Sequence, residues 1–209
     1  MTGPAHRELS VVKIGGGLTR IPGALDRVCR AVGSAGCDHE ILVVPGGGPF
    51  ADAVRRFDQS TGLSADAAHW MAILAMDQYA HMLASRIPGA ALVQEAGAVF
   101  ESLAPGRVAV LAPYRWLRAA DVLPHTWTVT SDSIAAFIAG ALDAARLILI
   151  KPGTNLVDTV DPYFSTALPH GMPWSAVSCD RIDELPRWLS GSQAAAGDVP
   201  WDSRLPASS

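Results

Sequence analysis

The chain has 209 residues, of which 49% are hydrophobic and 17% are charged, and its formal net charge is −4. This length suits one sizeable domain with its own core, and the apolar fraction excludes a disordered chain. The slightly acidic balance excludes a polybasic nucleic-acid surface, so an anionic small molecule would have to be bound by local groups.

Apolar runs alternate with helical patterns along the chain. Strands are predicted at 9–14, 40–45, 90–93, 107–111, 146–151 and 175–179. Helices are predicted at 22–35, 49–60, 64–86, 114–120, 131–143 and 181–190. Pro22 is expected in the first turn of the first helix, and Ser64 is expected as the N-cap of the third.

Continuous apolar strands followed by helices indicate an α/β fold in which a mostly parallel sheet is covered on both faces. Residues 1–190 are expected to form a single domain. Residues 191–209 are rich in Ser, Ala, Gly and Pro and are expected to form a mobile tail.

The helix predicted at 64–86 is apolar almost all round. One domain rarely buries every face of a helix, so one face is expected to pack on a second subunit and to give a homodimer or a larger homo-oligomer. Asp77 lies within this apolar pattern, either as a hydrogen-bonding interface residue or as a substrate contact. Arg55 and Arg56, on the preceding helix, are interpreted as a solvated face.

The thiols and the N-terminal segment suggest a location. Cys29, Cys37 and Cys179 show neither CxxC nor histidine-rich spacing, which favours reduced thiols and no metal site. Residues 1–10 lack the apolar core of a signal peptide, and charged residues interrupt the apolar stretch around 134–150. We therefore expect a cytoplasmic protein that does not span or bind a membrane.

Lys13 and Lys151 are the only lysines, against fourteen arginines. Each lies at or near the carboxyl end of a strongly apolar predicted strand. Their retention indicates a need for a compact ammonium group, which a planar guanidinium cannot replace. Phosphoryl transfer supplies such a need, because its catalysis rests on positioning and on stabilising charge on the migrating group. The alternative is that both survive by chance in an arginine-biased genome.

Two glycine runs follow two of these strands. Gly15, Gly16 and Gly17 form the first glycine loop, and Gly46, Gly47 and Gly48 form the second. Backbone N–H groups of glycines ahead of a helix can approach phosphate oxygens closely. Two such loops predict two facing anion sites, one for a donor and one for an acceptor. Neither loop fits GxxxxGK[ST] or a strict GxGxxG pattern, which disfavours P-loop and Rossmann folds.

The segment Thr130-Ser131-Asp132-Ser133 lies where a strand gives way to a helix. Its hydroxyl groups can cap that helix. Asp132 can also lie between the two lysines, where a carboxylate would hold both ammonium groups in position and favour their charged forms. Complementing the helix dipole is the simpler role for Asp132.

The motifs VVKIGGG, ILVVPGGGPFADAVR, VTSDSIAAFIAGAL and ILIK, in this order over residues 9–190, resemble the amino acid kinase superfamily. The resemblance implies a three-layer αβα sandwich, usually dimeric or larger, and a Mg·ATP-dependent kinase. It implies that Lys13 contacts the transferred phosphoryl group, that Lys151 acts on the leaving group, and that Asp132 organises both. By the same match, the first glycine loop binds ATP phosphates and the second binds the acceptor.

Within this family, GGGPFADAVR and AHWMAILAMDQYAHMLA are most similar to the kinases of methanofuran biosynthesis. Those kinases phosphorylate the phosphate group of an aminomethylfuran methyl phosphate, so the resemblance implies a small anionic acceptor, a phosphomonoester above all. Thr130 is assigned to the acceptor site through the similar TTD-type segment of uridylate kinases. Asp66, able to pair with a cationic aminomethyl group, and His69 are further acceptor candidates, although a helix-dipole role and a buried structural histidine are the simpler interpretations.

Three rival functions stay open on the sequence. They are a carboxylate or carbamate kinase of the same fold, a uridylate kinase, and a non-catalytic relative that binds anions. The segment 152–158 departs from the VDGVY-like pattern that shapes the adenine pocket in this family, which leaves nucleotide preference open.

Overall fold

Six parallel strands form one central sheet in the part of the chain that the computed structural model describes, residues 8–153 and 160–191. The strands are β1 (Leu9–Ile14), β2 (Glu40–Pro45), β3 (Ala90–Val93), β4 (Val108–Leu111), β5 (Arg146–Lys151) and β6 (Trp174–Ser178). Their order across the sheet is β3-β4-β2-β1-β5-β6, and every neighbouring pair is parallel. β1 is therefore central, between β2 and β5, and the carboxyl ends of all three meet at one edge.

Eight α-helices accompany the sheet in these residues. They are α1 (Ala24–Ala35), α2 (Gly48–Thr61), α3 (Ala65–Arg86), α4 (Ala96–Ser102), α5 (Tyr114–Ala120), α6 (Ser131–Ala141), α7 (Phe164–Ala167) and α8 (Leu185–Leu189). Two 3₁₀ helices, Gly16–Arg20 and Cys179–Glu184, follow β1 and β6.

The sheet separates two hydrophobic cores. Alternate residues of each central strand point to opposite faces, as strand geometry requires. Val12 and Ile148 belong to one core, and Val11 and Leu149 belong to the other. Helices α1 and α8 cover the first face, and α4 to α7 contribute to the second. The predicted three-layer αβα sandwich is thus confirmed, with an all-parallel sheet.

The long helix α3 is covered mainly by its own chain. Its N-terminal half places Trp70 and Ile73 in one core, and its C-terminal half places Tyr79 and Leu83 in the other. This double role accounts for an apolar pattern that runs almost all round the helix. Leu74 is left 41% exposed on the remaining face. The apolar pattern of α3 therefore no longer requires a second subunit. The homo-oligomer stays a prediction.

Two polar residues of this region have local structural roles. The hydroxyl of Ser64 accepts the N–H of Ala67 at 3.2 Å, which confirms it as the N-cap of α3. Asp77 accepts the N–H of Tyr114 at 2.9 Å and so caps the start of α5. Burial raises the pKa of Asp77, and this hydrogen bond offsets part of the rise. The hydrogen-bond partner of Asp77 is therefore a residue of the same chain.

Three helix boundaries differ from those expected. Helix α1 begins after Gly23, whose φ of 73° is left-handed, so Pro22 precedes the helix. Helix α6 ends at Ala141, and Asp143 with φ of 50° turns the chain into β5. The last predicted helix divides into a 3₁₀ turn and α8, because Pro186 begins a new first turn there. The sequence patterns also missed α4, α7 and the 3₁₀ turn after β1.

The segment 154–158 of the predicted adenine pocket and the tail from residue 192 lie outside the described residues. Inside them, none of the helices combines the length and the apolar character that crossing a bilayer requires.

Candidate active site

Two lysines share one carboxylate at the carboxyl edge of the sheet. Lys13 lies near the end of β1 and Lys151 ends β5, and these strands are neighbours. Asp132, the second residue of α6, lies between them. Its Oδ1 is 2.9 Å from Nζ of Lys13 and its Oδ2 is 2.5 Å from Nζ of Lys151. The contact with Lys13 is an ion pair.

This triad (Lys13, Asp132 and Lys151) is buried, and none of its members is more than 8% exposed. Burial alone would raise the pKa of Asp132, but attraction from Lys13 and Lys151 outweighs it and lowers that pKa. Burial also lowers the pKa of Lys151, as does repulsion from Lys13, while Asp132 opposes both. Two cationic groups thus face one carboxylate in a poorly solvated place, an arrangement that attracts further negative charge.

Asp161 holds the start of α6 and was missed by sequence reasoning. Its Oδ2 accepts the N–H and the hydroxyl of Thr130, at 3.0 and 2.6 Å, and the N–H of Ser133 at 3.1 Å. Its Oδ1 accepts the Ser133 hydroxyl and the N–H of Tyr163. Because Asp132 lies between Thr130 and Ser133, Asp161 fixes the backbone that carries the shared carboxylate.

The two glycine loops are packed directly against each other. A Cβ on Gly16 would lie 2.3 Å from backbone atoms of Gly48, and one on Gly46 would lie 2.7 Å from N of Gly16. The Gly46 N–H donates to the Ile14 carbonyl at 2.8 Å, which ties the second loop to β1. The glycines are therefore needed for contact between the loops, in addition to any approach to phosphate.

The remaining loop glycines meet other neighbours. Gly15 donates its N–H to the Ile150 carbonyl at 3.1 Å, and a Cβ there would lie 3.6 Å from Nζ of Lys13. Gly17 faces Pro152. Gly48 starts α2 with a φ of 57°, which only glycine adopts without strain.

A cavity of about 570 Å³ opens beside the second glycine loop. Both loops contribute to it, as do α2, α3 and the segment 125–131, and Thr130 and His69 lie in its wall. The apolar side of the cavity consists of Ala68, Ala72, Ile73 and Met76. None of the three triad residues lines the cavity, whereas Ser131, the chain neighbour of Asp132, does. This volume is typical of sites for small organic ligands.

Asp66, unlike His69, does not line this cavity. Its Oδ1 is 2.8 Å from Nδ1 of His125 and 3.2 Å from Nε1 of Trp70. The His125 ring stacks on His69 with ring centres 4.1 Å apart. Burial and the neighbouring His125 lower the pKa of His69 to about 4, so His69 is neutral near pH 7. Asp66 therefore orients the His125 wall of the cavity.

Trp127 was also missed as a lining residue. Its Nε1 donates to Oδ2 of Asp58 at 2.7 Å, and the guanidinium carbon of Arg55 lies 4.7 Å from its ring centre. Arg55, predicted to belong to a solvated face, is exposed but borders the cavity. Trp127 precedes α6 in a segment without regular structure, where no periodic pattern marks side chains that face a ligand.

The comparisons with known proteins agree with this geometry. The model of the amino acid kinase family matches residues 8–159. The chain is 28% identical over 153 residues to the [5-(aminomethyl)furan-3-yl]methyl phosphate kinase of Methanocaldococcus jannaschii, covering 72% of this chain and 68% of that relative. The chain therefore belongs to the amino acid kinase family and is a phosphotransferase.

Solved structures support the fold alone. UMP kinase from Bacillus anthracis superposes with a TM-score of 0.66 at 15% identity, covering 88% of this chain and 93% of that one. Uridylate kinase from Archaeoglobus fulgidus gives a TM-score of 0.51 at 21% identity and covers 69% of this chain. The chain spans 62% of the length of that second structure.

Proposed function

We propose that this kinase transfers the γ-phosphoryl group of ATP to the phosphate of a small, ring-bearing phosphomonoester, of the class of aminomethylfuran methyl phosphate. The observation that carries the proposal is the buried triad beside two touching glycine loops. Phosphoryl transfer needs positioned cations around the migrating group and little covalent chemistry. Lys13 and Lys151, reaching from adjacent strands, supply two such cations, and Asp132 fixes their separation.

The residues present fit a triphosphate donor and a metal carried by it. Gly16 and Gly17 of the first glycine loop begin a 3₁₀ helix, and their N–H groups would hold donor phosphates beside Lys151. Bound Mg·ATP would supply the transferable phosphoryl group and a divalent cation on its phosphates. Within the described residues, His, Cys, Asp and Glu side chains form no group of three that could hold a metal.

The second glycine loop and the cavity suit an anionic acceptor. Gly47 and Gly48 lie at the N-terminus of α2, where unpaired N–H groups and the helix dipole favour phosphate. Because the two loops touch, phosphates bound at them would lie next to each other, as a direct in-line transfer requires. A phosphomonoester loses its second proton near pH 6, so no protein base is needed to activate it.

The test is ADP release from Mg·ATP with a panel of acceptors at pH 7.5. The panel contains aminomethylfuran methyl phosphate, UMP, isopentenyl phosphate, aspartate, glutamate and carbamate. Lys13→Met is the matched inactive control, because it removes one cation and keeps Asp132 paired with Lys151. We expect turnover with the furan phosphate, and ³¹P NMR of the product should show the two coupled phosphorus signals of a diphosphate.

Each other result has a defined meaning. A hydroxylamine-sensitive product from an amino acid would identify a carboxylate kinase and overturn the phosphomonoester assignment. Turnover of UMP alone would keep the phosphate acceptor and replace the furan by a nucleotide. Nucleotide binding without turnover of any panel member would support a non-catalytic anion-binding relative.

A further inference from the structure

A carboxylate held only by neutral groups lines the acceptor cavity. Asp58, on α2, is half-buried in the cavity wall. Its Oδ1 accepts the N–H of Leu63 at 2.9 Å, and its Oδ2 accepts the indole N–H of Trp127 at 2.7 Å. Hydrogen bonds from neutral donors fix a carboxylate in place without cancelling its charge. None of the ion pairs among residues 8–153 and 160–191 includes Asp58.

The other charges that border the cavity are compensated or lie nearer the glycine loops. Arg20 and Asp52 form an ion pair at 2.6 Å. Arg55 lies one helical turn before Asp58, over the face of Trp127, whereas Asp58 binds the edge of the same ring. Along α2 the cavity therefore presents the positive helix N-terminus first, then Arg55, and a negative carboxylate last.

The histidine pair adds no uncompensated cation at this wall. His69 is neutral near pH 7, since burial and His125 lower its pKa to about 4. His125 lies between two other carboxylates, Asp66 at 2.8 Å and Asp121 at 2.9 Å. These two carboxylates are already occupied by His125, which leaves Asp58 as the cavity carboxylate with neutral partners only.

The length of α2 sets the distance between the second glycine loop and Asp58, which lie at opposite ends of the cavity wall. Asp58 lies ten positions after Gly48, which corresponds to about 15 Å between their Cα atoms at the rise of an α-helix. The separation between groups that touch a ligand is shorter, because helical side chains lean toward the N-terminus. A ligand made of a flat ring with one arm ending in phosphate and another ending in a cation would lie along this part of α2, with the ring against Trp127.

We propose that Asp58 determines acceptor specificity by binding a primary ammonium group on the acceptor, at the end of the cavity remote from the second glycine loop. The inference rests on the proposed function and adds the residue that would select a phosphomonoester carrying a cationic amine. Asp58 thus takes the role that the sequence suggested for Asp66. A charge-assisted hydrogen bond in a partly desolvated wall accounts for about 10- to 100-fold in selectivity.

The experiment compares two acceptors that differ in one group. These are aminomethylfuran methyl phosphate and its analogue with methyl in place of aminomethyl, assayed with saturating Mg·ATP. The variants are Asp58→Asn, which is isosteric and uncharged, and Asp26→Asn, an equal charge change on the exposed surface of α1. We expect wild type and Asp26→Asn to prefer the amine about 10- to 100-fold in kcat/KM. Asp58→Asn should lose this preference through KM while its rate with the methyl analogue stays within about threefold.

Trp127→Phe separates binding from support, because it keeps the carboxylate and removes its indole donor. Preservation of the amine preference in Trp127→Phe and its loss in Asp58→Asn would support the inference. Equal losses with both acceptors in Asp58→Asn would show that Asp58 only supports the wall, and would overturn it. Equal rates of wild type with both acceptors would also overturn it, while the phosphomonoester kinase would stand.

If wild type turns over neither acceptor, the proposed function fails, and calorimetric binding of the two compounds without nucleotide still tests Asp58. Tighter binding of the amine by wild type, absent in Asp58→Asn, would support the inference. Equal binding of the two compounds by wild type would overturn it.

Discussion

Replacing Asp132 by asparagine removes the charge that two buried ammonium groups share while it preserves side-chain volume. Lys13 and Lys151 would then face each other without the charge of Asp132 between them. We expect both the free energy of unfolding and kcat to fall. The two effects have separate causes, since stability depends on the lost attraction and turnover depends on where the two Nζ atoms come to rest.

The distances set the magnitude. At 2.9 and 2.5 Å, each ion pair is worth about 5 kcal/mol or more of Coulomb attraction at an effective dielectric constant near 20. Desolvation of the buried carboxylate offsets much of this. The net loss expected on breaking such a buried cluster is about 3–5 kcal/mol. A displacement of about 1 Å at a catalytic group lowers turnover about 100-fold, so kcat should fall by at least that factor.

Urea denaturation and steady-state ADP release measure the two quantities. Asp143→Asn is the matched control, because it makes the same charge change at an exposed position just after the same helix, in a left-handed conformation that asparagine tolerates. It should leave both quantities near the wild-type values. An Asp132→Asn variant within about 1 kcal/mol and threefold of wild type would refute the structural role given to the shared carboxylate.

A pH series gives an independent check on the same group. The folded-state pKa of Asp132 is lowered by the two lysines against the opposing effect of burial. The stabilisation is therefore fully present above the unfolded pKa of about 3.9 and is lost as pH falls through the lower folded pKa. The difference in unfolding free energy between wild type and Asp132→Asn should be constant from about pH 5 to 7 and should shrink below about pH 4. A difference that persists unchanged into acid would contradict the assignment.

Three further substitutions test other parts of the site. Asp161→Asn should lower the free energy of unfolding by about 1–2 kcal/mol, through lost capping of α6, and should lower kcat as well; a change in stability alone would separate the cap from the site. Tyr79→Phe should raise the unfolding free energy by about 1 kcal/mol, because the buried Tyr79 hydroxyl has no partner among the described residues; a lower melting temperature would contradict this. Gly16→Ala should destabilise by about 1–3 kcal/mol and slow turnover, since its Cβ would overlap Gly48; alanine at exposed Gly97, where nothing lies within 4 Å, should be harmless in the same assays.

The sheet and the triad could be predicted because their signals are local and their geometry is forced. Runs of apolar residues such as those of β1 and β5 identify buried parallel strands. Carboxyl ends of neighbouring strands meet at one edge, so lysines placed there must approach each other. Asp132, at the start of α6, reaches the same edge, although an irregular segment precedes that helix where the sequence indicated a strand.

The support of the site could not be predicted, because its contacts are distant along the chain. Asp161 accepts a hydrogen bond from Thr130, which is 31 residues away in the chain. No sequence pattern near either residue indicates this contact. Trp127 and His125 lie in an irregular segment, where side-chain direction follows from tertiary packing. Asp66 pairs with His125, which belongs to that same segment. Because the sequence does not show this contact, Asp66 was expected near the acceptor.

The homo-oligomer expected from α3 stays a prediction, because the sequence signal behind it has two explanations. An apolar pattern shows that a surface is covered but not by what. In this chain the two cores on opposite faces of the sheet both take residues from α3, so one molecule provides most of the cover for which a second subunit was expected.

Because lysine is scarce in this protein, NMR signals from its lysine side chains would report on the site alone. Both lysines in the chain belong to the triad, and both ammonium groups bind one carboxylate. Protein grown on isotopically labelled lysine would therefore give a two-line NMR spectrum with no background from the rest of the molecule. Each line would come from within the site, and its position would follow the protonation of that ammonium group and the arrival of each phosphate in turn.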